Sequence, residues 1–208
     1  MYFKHKCIQQ ALLFVLISLF ILTGACATAP NAEKNFANPP KAKMPITEEL
    51  SPGLSVLYFN AALTDLFFMD KGKDAKKSGK PGPPVTSLDH SFTGGAEVLD
   101  SGRSAGVALE LSGFIRLEQA GQYVFQSNSN DGFRLYIDGK LLIDDPDVHA
   151  DHLSEEALFE VTEAGWYWIG IRYFQKGGSA TLQLFWKTPG SDKFEIVPGR
   201  VLGHKEIS

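Results

Sequence analysis

The stretch "FRLYIDGKLLID", residues 133–144, decides the fold. Phe133, Leu135 and Ile137 alternate with Arg134 and Tyr136, the period of two that sends successive side chains to opposite faces of a strand. Asp138-Gly139 then separates this run from a second apolar one, and an Asp-Gly pair supplies the two positive-φ positions that a two-residue type I′ hairpin turn requires. The same reading extends outward in both directions. "GLSVLYFN", "GVALELSGFIRLE", "GQYVFQS", "ALFEVTEAG", "GWYWIGIRYF", "SATLQLFWK" and "FEIVPG" are short strand signals, punctuated by glycine and spaced too closely for crossover helices. In "SATLQLFW" the residues Ala180, Leu182, Leu184 and Trp186 share one face, so each strand is expected to bury one side. Trp166, Tyr167 and Trp168 are consecutive and must point to both faces. The pattern predicts an all-β fold, an antiparallel β-sandwich, with the number of hairpins favouring a sandwich over a barrel.

Length and composition bound the rest. With 208 residues there is room for one domain once a targeting segment is set aside, and a formal net charge of −4 offers no basic footprint for nucleic acid. At the N-terminus Lys4 and Lys6 precede twelve apolar or small residues, Ala11 to Leu22, too short a stretch for an ordinary membrane span. The ending "LTGAC" resembles a bacterial lipobox, in which Cys26 would be cleaved to the N-terminus and carry a covalent diacylglycerol. Residues 1–25 are therefore expected to be a lipoprotein signal peptide, 26–46 the lipidated cysteine and a flexible linker rich in Ala, Pro, Asn and Lys, and 47–208 the folded domain. Cys7 leaves with the signal, so no intramolecular disulfide can form and the core must hold the fold alone. Ala27 stands where an Asp would favour inner-membrane retention, so the outer membrane is the expected location. "KGKDAKKSGKPGPP", residues 71–84 with five lysines, reads as a long exposed loop inside the domain.

Two polar clusters carry the chemistry. "SNSND", residues 127–131, is either an Asx-rich turn whose side chains bond nearby amides or a rim of oxygen ligands for a cation. In "IDDPDVHADHLSEE" the residues Asp144, Asp145, Asp147, His149, Asp151 and His152 fall within nine positions; imidazole with carboxylate can hold zinc, but the spacing fits no standard ligand pattern and Pro146 makes the segment a loop. Glu155 and Glu156 are adjacent and diverge, and the sequence contains no nucleophile elbow, phosphate loop, dinucleotide fingerprint or zinc-protease helix, so an enzyme is not expected.

Three segments together, "AGQYVFQSNSNDGFRLYIDGKLLID", "EAGWYWIGIRYFQKGGSATLQLFWKTPG" and "LSPGLSVLYFN", resemble the PA-fourteen (PA14) family of β-sandwich modules from Glu49 to about Leu202. The family's late strand signature is matched by Tyr173, Gly177 or Gly178, Ala180, Leu182, Leu184 and Trp186. The resemblance implies carbohydrate recognition, because the lectin members hold calcium with two consecutive aspartates joined by a cis peptide, plus a second loop of oxygen ligands. Carried onto this chain, the aspartate pair falls on Asn130 and Asp131, and the second loop on residues 174–179 with Gln175 as the further metal ligand. Asn at 130 keeps an oxygen while removing a charge, so weaker calcium binding is the expectation. Phe174 is expected as an exposed sugar-stacking ring, with Lys176, Ser179, Asp144, Asp145 and His149 lining the rim. Trp186 is expected in the core. The sequence thus points to an envelope-anchored, non-catalytic lipoprotein that binds a glycan or polysaccharide with calcium and meets the membrane through its lipid. The alternative is a structural lipoprotein that contacts another envelope protein and binds neither sugar nor calcium.

Overall fold

A computed structural model describes residues 44–45, 47–60, 66 and 79–205, all within the compact unit Asn31–Ser208. The signal segment, Cys26, most of the linker and the lysines of residues 71–78 lie outside the described residues.

Two antiparallel sheets enclose one core. The larger has eight strands: β1 (Ser51–Pro52), β2 (Leu54–Asn60), β3 (Lys80–Val85), β5 (Val107–Leu117), β7 (Phe133–Ile137), β8 (Lys140–Asp145), β11 (Gly165–Gln175) and β14 (Leu202–His204), in the order β1-β14-β5-β11-β7-β8 with β2 bridging β5 and β3. The smaller has six: β4 (Asp89–Phe92), β6 (Gly121–Asn130), β9 (His152–Leu153), β10 (Ala157–Val161), β12 (Ala180–Lys187) and β13 (Glu195–Ile196), in the order β10-β6-β12-β13 with β4 on β12 and β9 on β6. The period of two decides what meets in the middle: Leu109, Leu111, Ile115, Leu135, Ile169, Ile171 and Tyr173 from the larger sheet pack with Tyr123, Phe125, Leu182, Leu184 and Trp186 from the smaller. The β7–β8 hairpin turns at Asp138 (φ 51°) and Gly139 (φ 78°), the type I′ geometry read from Asp-Gly.

Four expectations change. The centre of the larger sheet, β5, β7 and β11, is covered on both faces rather than one. Along β11 every residue is buried; Trp166 and Trp168 leave the core side and pack with Met44, Phe114 and Tyr136 in a second apolar layer. Met44, expected in the linker, pairs with Trp166 through reciprocal backbone hydrogen bonds of 3.1 and 3.0 Å, so the folded module begins before residue 47. Residues 80–84, expected at the end of a loop, belong to strand β3 (Lys80–Val85), which among the described residues pairs on one side alone, with β2, so its prolines are tolerated. Finally, residues 127–130 are not a turn: β6 runs on through Asn130, paired with β12 from Thr181↔Asn130 to Lys187↔Val124.

The covered outer face also holds charge. Register places Glu110, Arg172, Arg134 and Asp144 side by side on β5, β11, β7 and β8. Arg134 Nε donates to Asp144 Oδ1 at 2.6 Å, and Arg172 Nε lies 3.5 Å from Glu110 Oε2. Two adjacent buried guanidinium groups are flanked by a carboxylate on each side, the arrangement that keeps burial of the charges tolerable.

Candidate functional site

Three connections cross from the larger sheet to the smaller at one end of the sandwich: Asp131-Gly132 between β6 and β7, residues 146–151 between β8 and β9, and residues 176–179 between β11 and β12. Asp131 ties all three together. It is 3% exposed, its N–H donates to the carbonyl of Phe174 at 3.1 Å, its Oδ1 accepts the His149 N–H at 3.1 Å and its Oδ2 accepts the Lys176 N–H at 2.7 Å. A carboxylate offers about four lone-pair sites, so two remain after these bonds. The Asn130-Asp131 peptide is cis, as the family resemblance implies.

Asn130 lies beside it. Its carbonyl accepts the Tyr173 hydroxyl at 2.6 Å and its Nδ2 donates to Ser179 Oγ at 3.3 Å. Gln175 is fully buried, with Nε2 donating to the Ser179 carbonyl at 2.8 Å. Its Oε1 is a buried acceptor without a hydrogen-bond partner among the described residues. Asn130, Asp131 and Gln175 are therefore brought together around the 176–179 loop, with Lys176 and Ser179 exposed on it. Burial, then the negative charges of Asp131 and Asp151, hold the Tyr173 phenol well above the usual tyrosine range, so it is the hydrogen-bond donor to Asn130 throughout the physiological range.

Other expected residues go elsewhere. Phe174 is not a stacking ring: it is 0% exposed and packs with Phe59, Leu66 and Ala108 on the covered outer face. The reason is the β11 period, which puts residue 174 on the same side as Arg172 and Trp168, against Leu66, whose N–H donates to the Pro146 carbonyl at 3.0 Å. Gly132 is needed beneath that ring, since a Cβ there would stand 2.5 Å from the Phe174 ring and 2.8 Å from the Pro146 carbonyl. Asp144 and Asp145 point to opposite sides of β8: Asp144 serves Arg134, whereas Asp145 faces His149 and His152, with Oδ2 at 3.3 and 2.6 Å from their Nε2 atoms. Trp186 is in the core as expected.

Ser154 is a contributor that sequence reasoning did not single out, and Tyr173 reads there as part of a strand signature and not as a partner of Asn130. Ser154 anchors the β8–β9 crossing, its N–H donating to the Ser127 carbonyl at 2.8 Å and its Oγ accepting the Ser127 N–H at 3.0 Å. The available signal was the alternation Tyr123, Phe125, Ser127, Ser129, which continues one inward face into polar residues.

Comparison with known proteins agrees with this fold. The sequence profile of the PA14 domain matches residues 69–200, and the chain belongs to that family. Among solved structures it is similar to an anti-sigma factor domain-containing protein from Clostridium clariflavum (25% identity, TM-score 0.61), covering 76% of this chain and 48% of that one. It is also similar to a PA14 sugar-binding domain from an RTX adhesin (20%, TM-score 0.60; 74% of this chain, 99% of that one). A third is the epithelial adhesin 6 A domain from Candida glabrata in complex with Galβ1-3GlcNAc (12%, TM-score 0.59; 78% and 91%). The chain spans about half the length of the two anti-sigma factor domain-containing proteins it resembles, 49% and 48%. No curated protein matches the sequence.

Proposed function

We propose that this chain is a non-catalytic carbohydrate-binding protein of the bacterial envelope, its PA14 module held at the outer membrane by lipid on Cys26 and recognising a glycan through calcium at Asn130, Asp131 and Gln175. The observation that carries the reading is the convergence of three sheet crossings on those residues, with the buried Gln175 Oε1 left without a hydrogen-bond partner among the described residues. Fit to the ion rests on the donor set. It is oxygen-only, with one carboxylate having lone pairs to spare and two amide oxygens, which suits a hard cation. Bound calcium would accept vicinal sugar hydroxyls in its shell. The chain's own part is to orient that rim: Asp131 fixes the His149 and Lys176 backbones, and Ser179 holds the Asn130 and Gln175 amides. Exposed Lys176 and Ser179 are left to contact the sugar. The PA14 sugar-binding domain and the glycan complex among the similar folds support the ligand class.

One carboxylate is a low charge count, which puts the expected dissociation constant on the order of 10⁻⁴ to 10⁻³ M. At about 10 mM calcium that adds about 1.4–2.7 kcal/mol, or about 3–10 °C of melting midpoint for a domain of this size. Thermal melting in calcium and in chelator is the test; a midpoint unmoved by calcium rejects the metal site. A second reading, docking on another envelope protein, is favoured by the exposed Val148, Leu153 and Leu158 on β9, β10 and the crossing beside them. Sugar-independent capture of one envelope protein, lost when Leu153 and Leu158 become Ser, would support it.

A further inference from the structure

A second cation site lies beside the first and is built from different chemistry. His149 and His152 stack face to face, ring centroids 3.9 Å apart and 11° from parallel, with their Nε2 atoms aimed at one oxygen, Asp145 Oδ2, from 3.3 and 2.6 Å. One nitrogen of each ring and one carboxylate oxygen of Asp145 all lie within 4.8 Å of one another. A tetrahedral zinc with bonds of about 2.0–2.1 Å needs donors about 3.3 Å apart, so the His149–Asp145 separation already equals one edge of that polyhedron. The tautomer is arranged as well. His149 Nδ1 lies 2.9 Å from the Ala150 carbonyl, which can only accept, so Nδ1 donates there and Nε2 is the nitrogen that faces Asp145. That Nε2 is buried and makes no hydrogen bond among the described residues.

The support is rigid on each side. Asp145 ends β8 opposite Phe133, His152 opens β9 opposite Ser129, and the His149 N–H is fixed by Asp131 Oδ1. Sequence spacing alone hides the set, because Asp145 ends β8, His149 lies in the crossing and His152 opens β9. We propose that Asp145, His149 and His152 bind a divalent transition-metal ion of the zinc type. The ion takes the Nε2 lone pair of His149 and replaces the proton by which His152 Nε2 holds Asp145, that proton leaving to solvent. Three protein ligands leave at least one position for water or a ligand atom. It can face the adjoining cleft of about 290 Å³, lined by Leu142, Asp144, Glu155 and Glu156 among others. Calcium does not compete for two imidazole nitrogens, so this site stands whether or not the oxygen-only site binds calcium.

The test is metal content of the full chain in detergent after loading with zinc and dialysis against zinc-free buffer containing millimolar calcium, with His149→Gln and His152→Ala alongside. His152 is half-exposed, so its replacement tests the site without endangering the fold. The expected result is one retained zinc per chain, with affinity falling in both variants by more than the roughly 10–100-fold typical of losing an outer-shell partner. No retained zinc, or equal retention by wild type and both variants, overturns the proposal; in the first case the three groups are only an imidazole–carboxylate hydrogen-bond cluster, and in the second the zinc sits elsewhere on the chain.

Discussion

Replacing Asp131 by Ala should destabilise the fold even with no ion present, and by an amount the structure sets. Its two oxygens accept backbone N–H groups from two separate crossings, His149 at 3.1 Å and Lys176 at 2.7 Å, at a residue only 3% exposed. Ala leaves both donors without their acceptor. Each lost charge-assisted bond costs about 1.5–3 kcal/mol, and relaxation of the exposed Lys176 side of the site returns part of it. The expected loss is about 3–5 kcal/mol, which at about 2–4 °C per kcal/mol lowers the midpoint by about 6–20 °C. Asp131→Asn keeps one acceptor but turns an amide N–H₂ toward the other donor, so it should fall between Ala and wild type. Urea unfolding in chelator measures this directly, read as a lower midpoint at unchanged slope. A loss below about 0.5 kcal/mol in Asp131→Ala would refute the clamp and place those loops under other control.

Phe174→Ala should cost about 3–5 kcal/mol of stability by cavity formation; an unchanged unfolding midpoint with weakened sugar binding would instead restore Phe174 as a surface platform. Gly132→Ala should cost about 1–3 kcal/mol from overpacking against the Phe174 ring and the Pro146 carbonyl, seen as a lower urea midpoint, and a neutral result would show the gap can open. The raised tyrosines set the alkaline limit: burial is the leading cause for Tyr58, Tyr123 and Tyr173. A folded pKa above the unfolded value of about 10 gives stability that is complete below pH 10 and lost as pH climbs past it. Unfolding free energy should thus fall above about pH 10, and Tyr173→Phe should make that fall shallower; a wild-type profile flat to pH 12 would contradict it.

Much of this was legible. Period-two alternation in "FRLYI" and "SATLQLFW", with Asp138-Gly139 between two apolar runs, is local information, and β7, β8 and β12 follow it. What escaped was whatever depended on distant partners. Arg134 and Tyr136 read as a solvent face because nothing near them in sequence shows that Met44, Trp166 and Trp168 form a second layer there. Phe174 read as exposed for the same reason: Phe59 and Leu66 are more than a hundred residues away. Serines 127 and 129 read as turn chemistry because composition outweighed position; the alternation from Tyr123 and Phe125 already pointed them inward, and pairing with β12 holds them there. At the candidate site, Asn130, Asp131 and Gln175 were singled out through family likeness. The His149–His152 pair needed the β8–β9 crossing to bring it onto Asp145.

The most direct measurement of the central claim is glycan-array binding of the lipid-free chain, residues 27–208, in millimolar calcium and in chelator, with Asn130→Ala as the site control. Binding of a defined glycan class that disappears in chelator and in the variant is the predicted result. Binding indifferent to both, or no glycan bound in calcium, would contradict a calcium-assisted carbohydrate site at Asn130 and Asp131.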